Sequence, residues 1–416
     1  MDFLHYQNGQ LFASQVAISD LAEQYGTPLY VYSSYYITKQ FLAYQQALTD
    51  TNHLICYAVK ANSNLSVLKQ LANLGAGFDI VSQGELERVL KAGADANKVV
   101  FSGVAKSIVE IERALTVGIK CFNVESEPEL YRINDIAKRL NKIAAISLRI
   151  NPDVDAKTHP YISTGLRENK FGISYQLALD VYRKAQSLSN IKITGIDCHI
   201  GSQLTELSPF LDAADRIVAL VDELNANDIN IEHIDLGGGL GVCYNDEKTI
   251  SPLQLVTELK KKFAKYANVE LLFEPGRCIV ANAGLLITKV EYTKHQDGNH
   301  FAIVDAGMND LIRPALYDAW MRVLPAKEPK SSDETLIYNV VGPICESSDV
   351  LAHQRELSVQ QDDLLVVCSA GAYGFSMASN YNSHPRPAEV MLIGELQHKI
   401  IRQRESFDDL WRGESL

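Results

Sequence analysis

The chain has 416 residues, of which 46% are hydrophobic and 22% are charged, so a disordered chain or a fibrous repeat is excluded. Its net charge is −12, and no run of five or six basic residues offsets it, which argues against a surface for nucleic acid or an anionic membrane. No apolar run approaches the ~20 residues that span a bilayer.

A long central region predicts parallel strands alternating with helices. From residue 54 to 277, short apolar runs alternate with longer segments of helical period, which leave room for a crossover helix between parallel strands. Eight such units predict a (β/α)₈ barrel, and the number of strands alone leaves an open doubly wound sheet as the alternative. The predicted strands are 54–60, 78–82, 98–103, 121–126, 144–150, 193–201, 231–239 and 271–277.

The two ends of the chain have a different pattern. After residue 285, strand-like runs are joined by Gly, Pro, Asp and Ser, which predicts an all-β domain. A barrel uses about 250 residues, so roughly 166 remain for this domain and the start of the chain. The first 34 residues predict one short helix and one strand, which we expect to join the β domain. The predicted domains are therefore a barrel over 35–285 and a β domain over 1–34 plus 286–416.

The cysteines and the first residues indicate a compartment. The seven cysteines are odd in number and scattered, without a CxxC motif, which favours a reducing compartment and no structural zinc. The first residues, MDFLHYQNGQLFAS, lack the basic and apolar regions of a secretion signal. We therefore expect a soluble cytoplasmic protein that binds no metal.

Chemically capable residues stand where the predicted barrel strands end. Lys60 ends the first strand, His199 the sixth, residues 237–239 (three glycines) the seventh, and residues 274–277 (Glu-Pro-Gly-Arg) the eighth. The carboxyl ends of barrel strands and the loops that follow them form the active-site mouth of such barrels. The positions of these residues therefore predict a functional site at the mouth.

Each signal also has an ordinary structural explanation. A lysine at a strand end is usually solvated, although a desolvated amine could form a Schiff base. His199 could be a core histidine or lie flat on an aromatic cofactor, and Glu274 could belong to a surface turn or point into the mouth. Glycine loops after strands seven and eight match the usual barrel phosphate site. Together, the lysine, phosphate loop, imidazole and carboxylate suggest pyridoxal phosphate, whose ring nitrogen a carboxylate keeps protonated.

Seven motifs in chain order resemble those of the diaminopimelate decarboxylase family, one of the fold-type III pyridoxal-phosphate-dependent decarboxylases (the ornithine/lysine/arginine decarboxylase class II). They are YAVKANSN, HIGSQ, DLGGGLGVCY, EPGR, DAGMNDLIRPALY, GPICESSDVLA and GAYGFSMASNYN. The match runs from about residue 25 to 395. The resemblance implies an α/β plus all-β fold, with an alanine-racemase-like TIM barrel and a C-terminal β-sandwich or β-barrel domain. It also implies a homodimer with active sites at the subunit interface.

The resemblance further implies roles for single residues. Lys60 matches the lysine that holds pyridoxal 5'-phosphate, His199 the imidazole on its ring, and Glu274 the partner of its ring nitrogen. The remaining cofactor-binding matches are Ser202, Gly237, Gly238, Gly239, Pro275, Gly276, Arg277 and Tyr373. The substrate-binding matches are Arg277, Arg313, Tyr317, Glu346 and Tyr373.

Cys345 matches the proton donor, which the other subunit would contribute together with Glu346. Taken alone, a cysteine among six others would be interpreted as buried and inert, and only the motif GPICESSDV reverses that interpretation. A positioned thiol suits the protonation that must follow loss of carbon dioxide.

The implied reaction is the decarboxylation of meso-diaminopimelate to L-lysine, the last step of lysine biosynthesis. Arg313 can bind the distal carboxylate with two parallel hydrogen bonds, and Glu346 can face the distal ammonium. Family members that act on ornithine or arginine usually have Asp at the position of Glu346 and lack the RPALY arrangement. The run at 159–172 also resembles the diaminopimelate branch, whereas Gln83 departs from the usual glycine.

Two alternatives stay open. One is an ornithine- or arginine-type decarboxylase of the same fold. The other is a catalytically inactive regulatory homologue, against which the retention of Lys60, Glu274, Cys345 and Tyr373 argues.

Overall fold

The computed structural model describes residues 1–155 and 169–416, and these form two units. One unit comprises residues 40–242 and 248–278, and the other comprises residues 1–39, 243–247 and 279–416. The domain limits at residues 35 and 285 stay a prediction. In the diaminopimelate-like run at 159–172, residues 159–168 lie outside the described residues.

The secondary structure follows the two patterns seen in the sequence. The strands, in chain order, are β1 (Leu4–Gln7), β2 (Gln10–Ala13), β3 (Val16–Ala17), β4 (Leu29–Ser33), β5 (His53–Ala58), β6 (Gly77–Ile80), β7 (Val99–Phe101), β8 (Cys121–Val124), β9 (Ala144–Asn151), β10 (Ile173–Ser174), β11 (Ile191–Asp197), β12 (His233–Asp235), β13 (Glu270–Phe273), β14 (Gly284–Gln296), β15 (Asn299–Val304), β16 (Val323–Pro325), β17 (Leu336–Val341), β18 (Val350–Leu357), β19 (Leu364–Val367), β20 (Ala388–Leu392) and β21 (His398–Arg402). The α-helices are α1 (Ile18–Tyr25), α2 (Ser34–Ala47), α3 (Leu65–Asn73), α4 (Gln83–Lys91), α5 (Ile108–Val117), α6 (Glu127–Arg139), α7 (Ala178–Ser187), α8 (Ser208–Ala226), α9 (Pro252–Lys262), α10 (Arg277–Val280), α11 (Arg313–Tyr317) and α12 (Phe407–Leu410).

Eight parallel strands close into a barrel in the described part of the chain. They are β5, β6, β7, β8, β9, β11, β12 and β13, in that order around the barrel. Closure is explicit, because β13 pairs in parallel with β5, from Leu271 opposite His53 to Phe273 opposite Ile55. This pairing confirms the predicted barrel and excludes the open doubly wound sheet.

The barrel strands are apolar because both of their faces are covered. All four residues of β6 and of β8 are buried, so these strands lack the polar alternation of a half-exposed sheet. Serines begin the helices that follow: the side chains of Ser82, Ser107 and Ser126 each accept a backbone N–H in the first turn of α4, α5 and α6. Alternation of buried strands and capped helices therefore specifies the βα repeat locally.

The second unit is built mainly from antiparallel strands. β14 pairs with β4, β15 and β19, and β4 pairs in parallel with β20. Its core includes Leu29, Val31, Leu285, Ile287 and Val390, all of which are fully buried. The last strand before the barrel, β4, and the last strands of the chain thus share one sheet, and the mostly-sheet second domain is confirmed.

Two further observations concern both units. No α-helix among the described residues is long and apolar enough to cross a membrane. All seven cysteines lie in the described part, and none of them forms a disulfide.

Candidate active site

The predicted mouth residues lie just beyond the barrel strands rather than within them. β5 ends at Ala58, and Lys60 belongs to the 3₁₀ turn Val59–Ala61. β11 ends two residues before His199, and β13 ends immediately before Glu274. The predicted strands were therefore too long at their carboxyl ends, because the chain turns away from the strand pairing there. The residues nevertheless lie at the carboxyl end of the barrel.

Lys60 is paired with a buried carboxylate. Its Nζ lies 2.5 Å from Oδ2 of Asp79, which belongs to the neighbouring strand β6. The Asp79 side chain has no exposed surface, whereas 37% of the Lys60 side chain is exposed. The amine is therefore held on the barrel wall and not fully solvated, which favours the functional interpretation of Lys60.

His199 is held by the glycine loop after β12. The backbone N–H of Gly238 donates to Nδ1 of His199 over 3.2 Å, so Nδ1 is the acceptor and a neutral ring carries its proton on Nε2. Burial, and secondarily the positive charges of Arg149 and Lys60, hold the pKa of His199 well below its usual value. The imidazole is therefore neutral at physiological pH.

The glycine loop requires glycine because other backbone lies against it. A Cβ on Gly238 would lie 2.2 Å from the carbonyl oxygen of Glu274, and one on Gly237 would lie 2.8 Å from Nδ1 of His199. Gly237 also has a φ of +64°, in the left-handed region that favours glycine. The loop thus brings His199 and the Glu274 backbone close together.

Three buried carboxyl groups converge beside this loop. Asp197, Asp235 and Glu274 each offer an oxygen, and these oxygens all lie within 4.8 Å of one another. Burial raises the pKa of Asp235 to about 6 and the pKa of Glu274 well above its usual value. Repulsion by neighbouring carboxylates raises both pKa values further. Such an oxygen set suits a protonated ring nitrogen or a hard divalent cation.

Side chains around the cluster keep it in place. Asn123 donates from Nδ2 to Oε1 of Glu274 over 3.4 Å, and the N–H of Gly237 donates to Oδ1 of Asp235 over 2.9 Å. The guanidinium of Arg149 lies 3.9 Å from Oδ2 of Asp197, and it also pairs with Glu125 at 3.0 Å. The Glu274 carboxyl is therefore buried and not part of a surface turn.

Arg277 supplies a fixed cation at the same end of the barrel. Its Nε and Nη2 donate to Oγ of Ser202 over 3.2 and 3.1 Å, and only 7% of the residue is exposed. It follows Pro275 and Gly276, and the carbonyl of Pro275 accepts the N–H of Ala58 at the end of β5. A guanidinium, a hydroxyl and glycine amides are the donor types that bind phosphate.

Apart from Arg277, the predicted substrate residues lie in the second unit. Arg313 begins α11 and is 5% exposed, with its guanidinium 4.4 Å from the ring centre of Tyr244 and Nη1 3.5 Å from Sδ of Met321. Tyr317 ends the same short helix and is half-buried. Tyr373 has a φ of +56°, which is uncommon for a residue with a side chain.

Cys345 and Glu346 share one exposed loop of the second unit. Cys345 is exposed, so the interpretation of this residue as buried is wrong. Its backbone N–H donates to Oδ1 of Asn382 over 2.8 Å. The hydroxyl of Tyr381 donates to Oε1 of Glu346 over 2.5 Å, and this bond to a carboxylate raises the pKa of Tyr381.

The structure thus brings the barrel residues together at one end of the barrel, and it groups Arg313 with Tyr317 and Cys345 with Glu346. Sequence reasoning missed Asp79, Asp197 and Asp235, although all three lie at or next to the carboxyl ends of barrel strands, where the same rule would have found them. It also missed Asn382, which lies within a quoted motif without an assigned role.

Comparisons with known proteins identify the family of this chain. Residues 35–281 match the family described as pyridoxal-dependent decarboxylase, pyridoxal binding domain. A diaminopimelate decarboxylase of Vibrio cholerae is 58% identical over 100% of this chain and 99% of its own length. The structure of diaminopimelate decarboxylase from M. jannaschii in complex with L-lysine has a TM-score of 0.94 and 38% identity, covering 100% of this chain and 98% of that one.

A lysine/ornithine decarboxylase of Vibrio vulnificus, solved with putrescine, is more distant. It has a TM-score of 0.80 and 25% identity, covering 90% of this chain and 97% of that one. The chain therefore belongs to the diaminopimelate decarboxylase family of pyridoxal-dependent decarboxylases.

Proposed function

We propose that this protein is a pyridoxal-phosphate-dependent carboxy-lyase that converts meso-diaminopimelate to L-lysine and carbon dioxide, the last step of lysine biosynthesis. The observation that carries the proposal is the constellation at the barrel mouth, where a paired lysine, a neutral histidine and a buried glutamic acid converge. Identity of 58% over the full length to a diaminopimelate decarboxylase supports the choice of substrate.

The barrel residues fit the proposed cofactor. Lys60 would hold it covalently, Glu274 would face its ring nitrogen, and the flat, neutral ring of His199 would lie against its ring. Arg277, Ser202 and the glycine amides are suitable donors for its phosphate. The proposed phosphate site also includes Pro275, Gly276 and Tyr373.

Each barrel group has a defined chemical task. When bound, pyridoxal phosphate supplies the electron sink for the pair that carbon dioxide leaves behind. Asp79 keeps the amine of Lys60 oriented on the barrel wall. Crowding by Asp235 and Asp197 makes the cluster around Glu274 favourable for a positive charge, because a cation relieves the repulsion that raises these pKa values.

Arg277 of the barrel unit and several residues of the second unit supply the proposed substrate contacts. Arg313 would bind the distal carboxylate of diaminopimelate, with its planar guanidinium already oriented by Tyr244. Arg277, Tyr317 and Tyr373 would position the remaining groups of the substrate. Cys345 would donate the proton that replaces the carboxylate, and Glu346 would face the distal ammonium.

A substrate panel tests the reaction. Purified holoenzyme is incubated with meso-diaminopimelate, ornithine, arginine and lysine, and carbon dioxide and the amine products are measured. We expect release only from diaminopimelate, with L-lysine as product. Release of carbon dioxide from ornithine or arginine instead would support an ornithine- or arginine-type decarboxylase and refute the proposed substrate.

The cofactor attachment distinguishes an enzyme from an inactive homologue. We expect borohydride to fix the cofactor onto Lys60, as peptide mapping would show, and Lys60→Ala to lose this label. Absence of the label and of the cofactor absorption band from the purified protein would favour an inactive regulatory homologue.

The proposal includes a homodimer in which each site takes Cys345 and Glu346 from the other subunit. The exposure of both residues on a single chain supports this arrangement. Mixing inactive Lys60→Ala protein with the slow Cys345→Ala protein should restore about a quarter of wild-type activity, since half of the reassorted dimers then contain one intact site. Recovery of no activity, with mixed dimers demonstrated by mass, would contradict sharing.

A cytoplasmic location is the last part of the proposal. Seven cysteines without a disulfide are typical of a reducing compartment. Fractionation of cells that express the protein, followed by immunoblotting, tests the location.

A further inference from the structure

The backbone that carries Cys345 is held by two side chains. Oδ1 of Asn382 accepts the N–H of Cys345 over 2.8 Å, and Oδ2 of Asp349 accepts the N–H of the preceding residue, Ile344, over 2.7 Å. Two consecutive N–H groups are therefore held, one by Asp349 at the end of the same loop and the other by Asn382 from a later segment. Because the direction of the Cα–Cβ bond follows the backbone, these bonds limit where the thiol of Cys345 can lie.

Asp349 also binds a second segment. Its Oδ1 accepts the N–H of Met308 over 2.6 Å, five residues before Arg313. The residue is 3% exposed, and a Cβ on Gly342 would lie only 2.5 Å from its Oδ2. One buried carboxylate thus ties the segment that leads to Arg313 to the loop that carries Cys345.

Asn382 is suited to this contact by its backbone. Its φ is +53°, a left-handed conformation that asparagine and aspartate adopt more readily than most residues. The preceding residue, Tyr381, donates its hydroxyl to Glu346. The two neighbours therefore hold the backbone of Cys345 and the side chain of Glu346 together.

We propose that Asn382 is a positioning residue for Cys345: its amide oxygen fixes the backbone of the proton donor, and Asp349 connects that backbone to the segment before Arg313. The proposal rests on the role of Cys345 in the proposed function. A general acid must lie within hydrogen-bond reach of its acceptor, and a displacement of about 1 Å can cost ~100-fold in rate. Asn382 acts through Cys345 and needs no contact with the substrate.

Two substitutions separate the hydrogen bond from the backbone conformation. Asn382→Gly keeps the left-handed conformation and removes the acceptor, whereas Asn382→Asp keeps both. In the holoenzyme we expect Asn382→Gly to lower kcat about tenfold with KM changed less than about twofold, and Asn382→Asp to stay within about threefold of wild type. Thermal unfolding and the cofactor absorption band show that each variant is folded and loaded. If the glycine variant does not fold, Asn382→Ala removes the same acceptor, and its thermal unfolding shows the added cost of a left-handed alanine.

The Cys345→Ala background decides whether Asn382 acts through the thiol. There we expect Asn382→Gly to change kcat by less than about twofold, because the group that it positions is gone. An equal loss of kcat in both backgrounds, or no loss in the wild-type background, would overturn the proposal.

A measurement without substrate separates this proposal from the proposed function. The rate at which iodoacetamide alkylates Cys345, followed by peptide mass spectrometry, should change at least about threefold in Asn382→Gly and stay at the wild-type value in Asn382→Asp. If the wild-type holoenzyme releases no carbon dioxide from diaminopimelate, the proposed function fails and the alkylation rates still test the positioning. Equal alkylation rates in wild type and Asn382→Gly would refute the positioning whatever the substrate.

Discussion

Replacement of Gly238 by alanine tests how the glycine loop builds the cofactor site. The added Cβ would lie 2.2 Å from the carbonyl oxygen of Glu274 and 3.0 Å from its carbonyl carbon, whereas ordinary contact begins at 3.4 Å. The two loops must therefore separate by about 1 Å, which costs ~1–3 kcal/mol in the free energy of unfolding. The same movement lengthens the 3.2 Å bond from the Gly238 N–H to His199 and displaces Glu274.

We expect the Kd for pyridoxal phosphate to rise at least about tenfold in Gly238→Ala, equivalent to ~1.4 kcal/mol. Titration followed by absorbance gives the Kd, and urea unfolding of the cofactor-free protein gives the stability. Gly84→Ala is the matched control, because Gly84 lies in α4 and its nearest atom to a new Cβ, Oγ of Ser82, is 3.7 Å away. The control should keep the wild-type Kd and gain up to ~1 kcal/mol. A wild-type Kd and wild-type stability in Gly238→Ala would refute the close-approach argument.

Three further predictions concern Asp235, Glu274 and Arg313. Burial raises the pKa of Asp235 from 3.8 to about 6 in the folded protein. The protonated side chain therefore stabilises the cofactor-free fold most below pH 4. About 3 kcal/mol of this free energy of unfolding is lost as the pH rises through 6. Asp235→Asn should remove this contribution to the pH dependence, measured by urea unfolding at pH 4.5, 6 and 8. An unchanged dependence of the free energy of unfolding on pH would contradict the raised pKa of Asp235. Glu274→Gln should lower kcat/KM at least about 100-fold with little loss of stability, because it keeps the volume and loses the charge. Arg313→Lys should raise KM for diaminopimelate about tenfold and leave kcat nearly unchanged. The reason is that an ammonium can neither bind the carboxylate in two parallel hydrogen bonds nor stack on Tyr244. A lower kcat at constant KM would argue against substrate binding by Arg313.

The barrel could be predicted because its strands are buried on both faces. Each then appears as a short apolar run, and the intervals between runs fit helices, so all eight strands were identified. The carboxyl ends of the strands were predicted less well. The strand pairing stops at a 3₁₀ turn that contains Lys60 and before the left-handed Gly237, and neither feature interrupts the apolar pattern of the sequence. β18 does not appear as such a run, because its sequence, VLAHQREL, is polar in the middle.

The site was only partly predictable for a different reason. Position at the carboxyl end of a strand identified Lys60 and Glu274 from the sequence. Their partners depend on neighbouring strands, since the distance from Lys60 to Asp79 is set by the pairing of β5 with β6. The backbone of Cys345 likewise has its hydrogen-bond partner, Asn382, 37 residues away in the chain.

The central place of β4 in the second sheet has a consequence for synthesis. All five residues of β4 are buried, yet both of its partners, β14 and β20, lie far towards the carboxyl end of the chain. At the usual rate of translation of ~5–20 residues per second, roughly 20–70 s pass between the synthesis of β4 and the synthesis of β20. During this interval an apolar strand with unpaired edges is available to aggregation or to chaperones, and the sheet can be completed only when translation is almost finished.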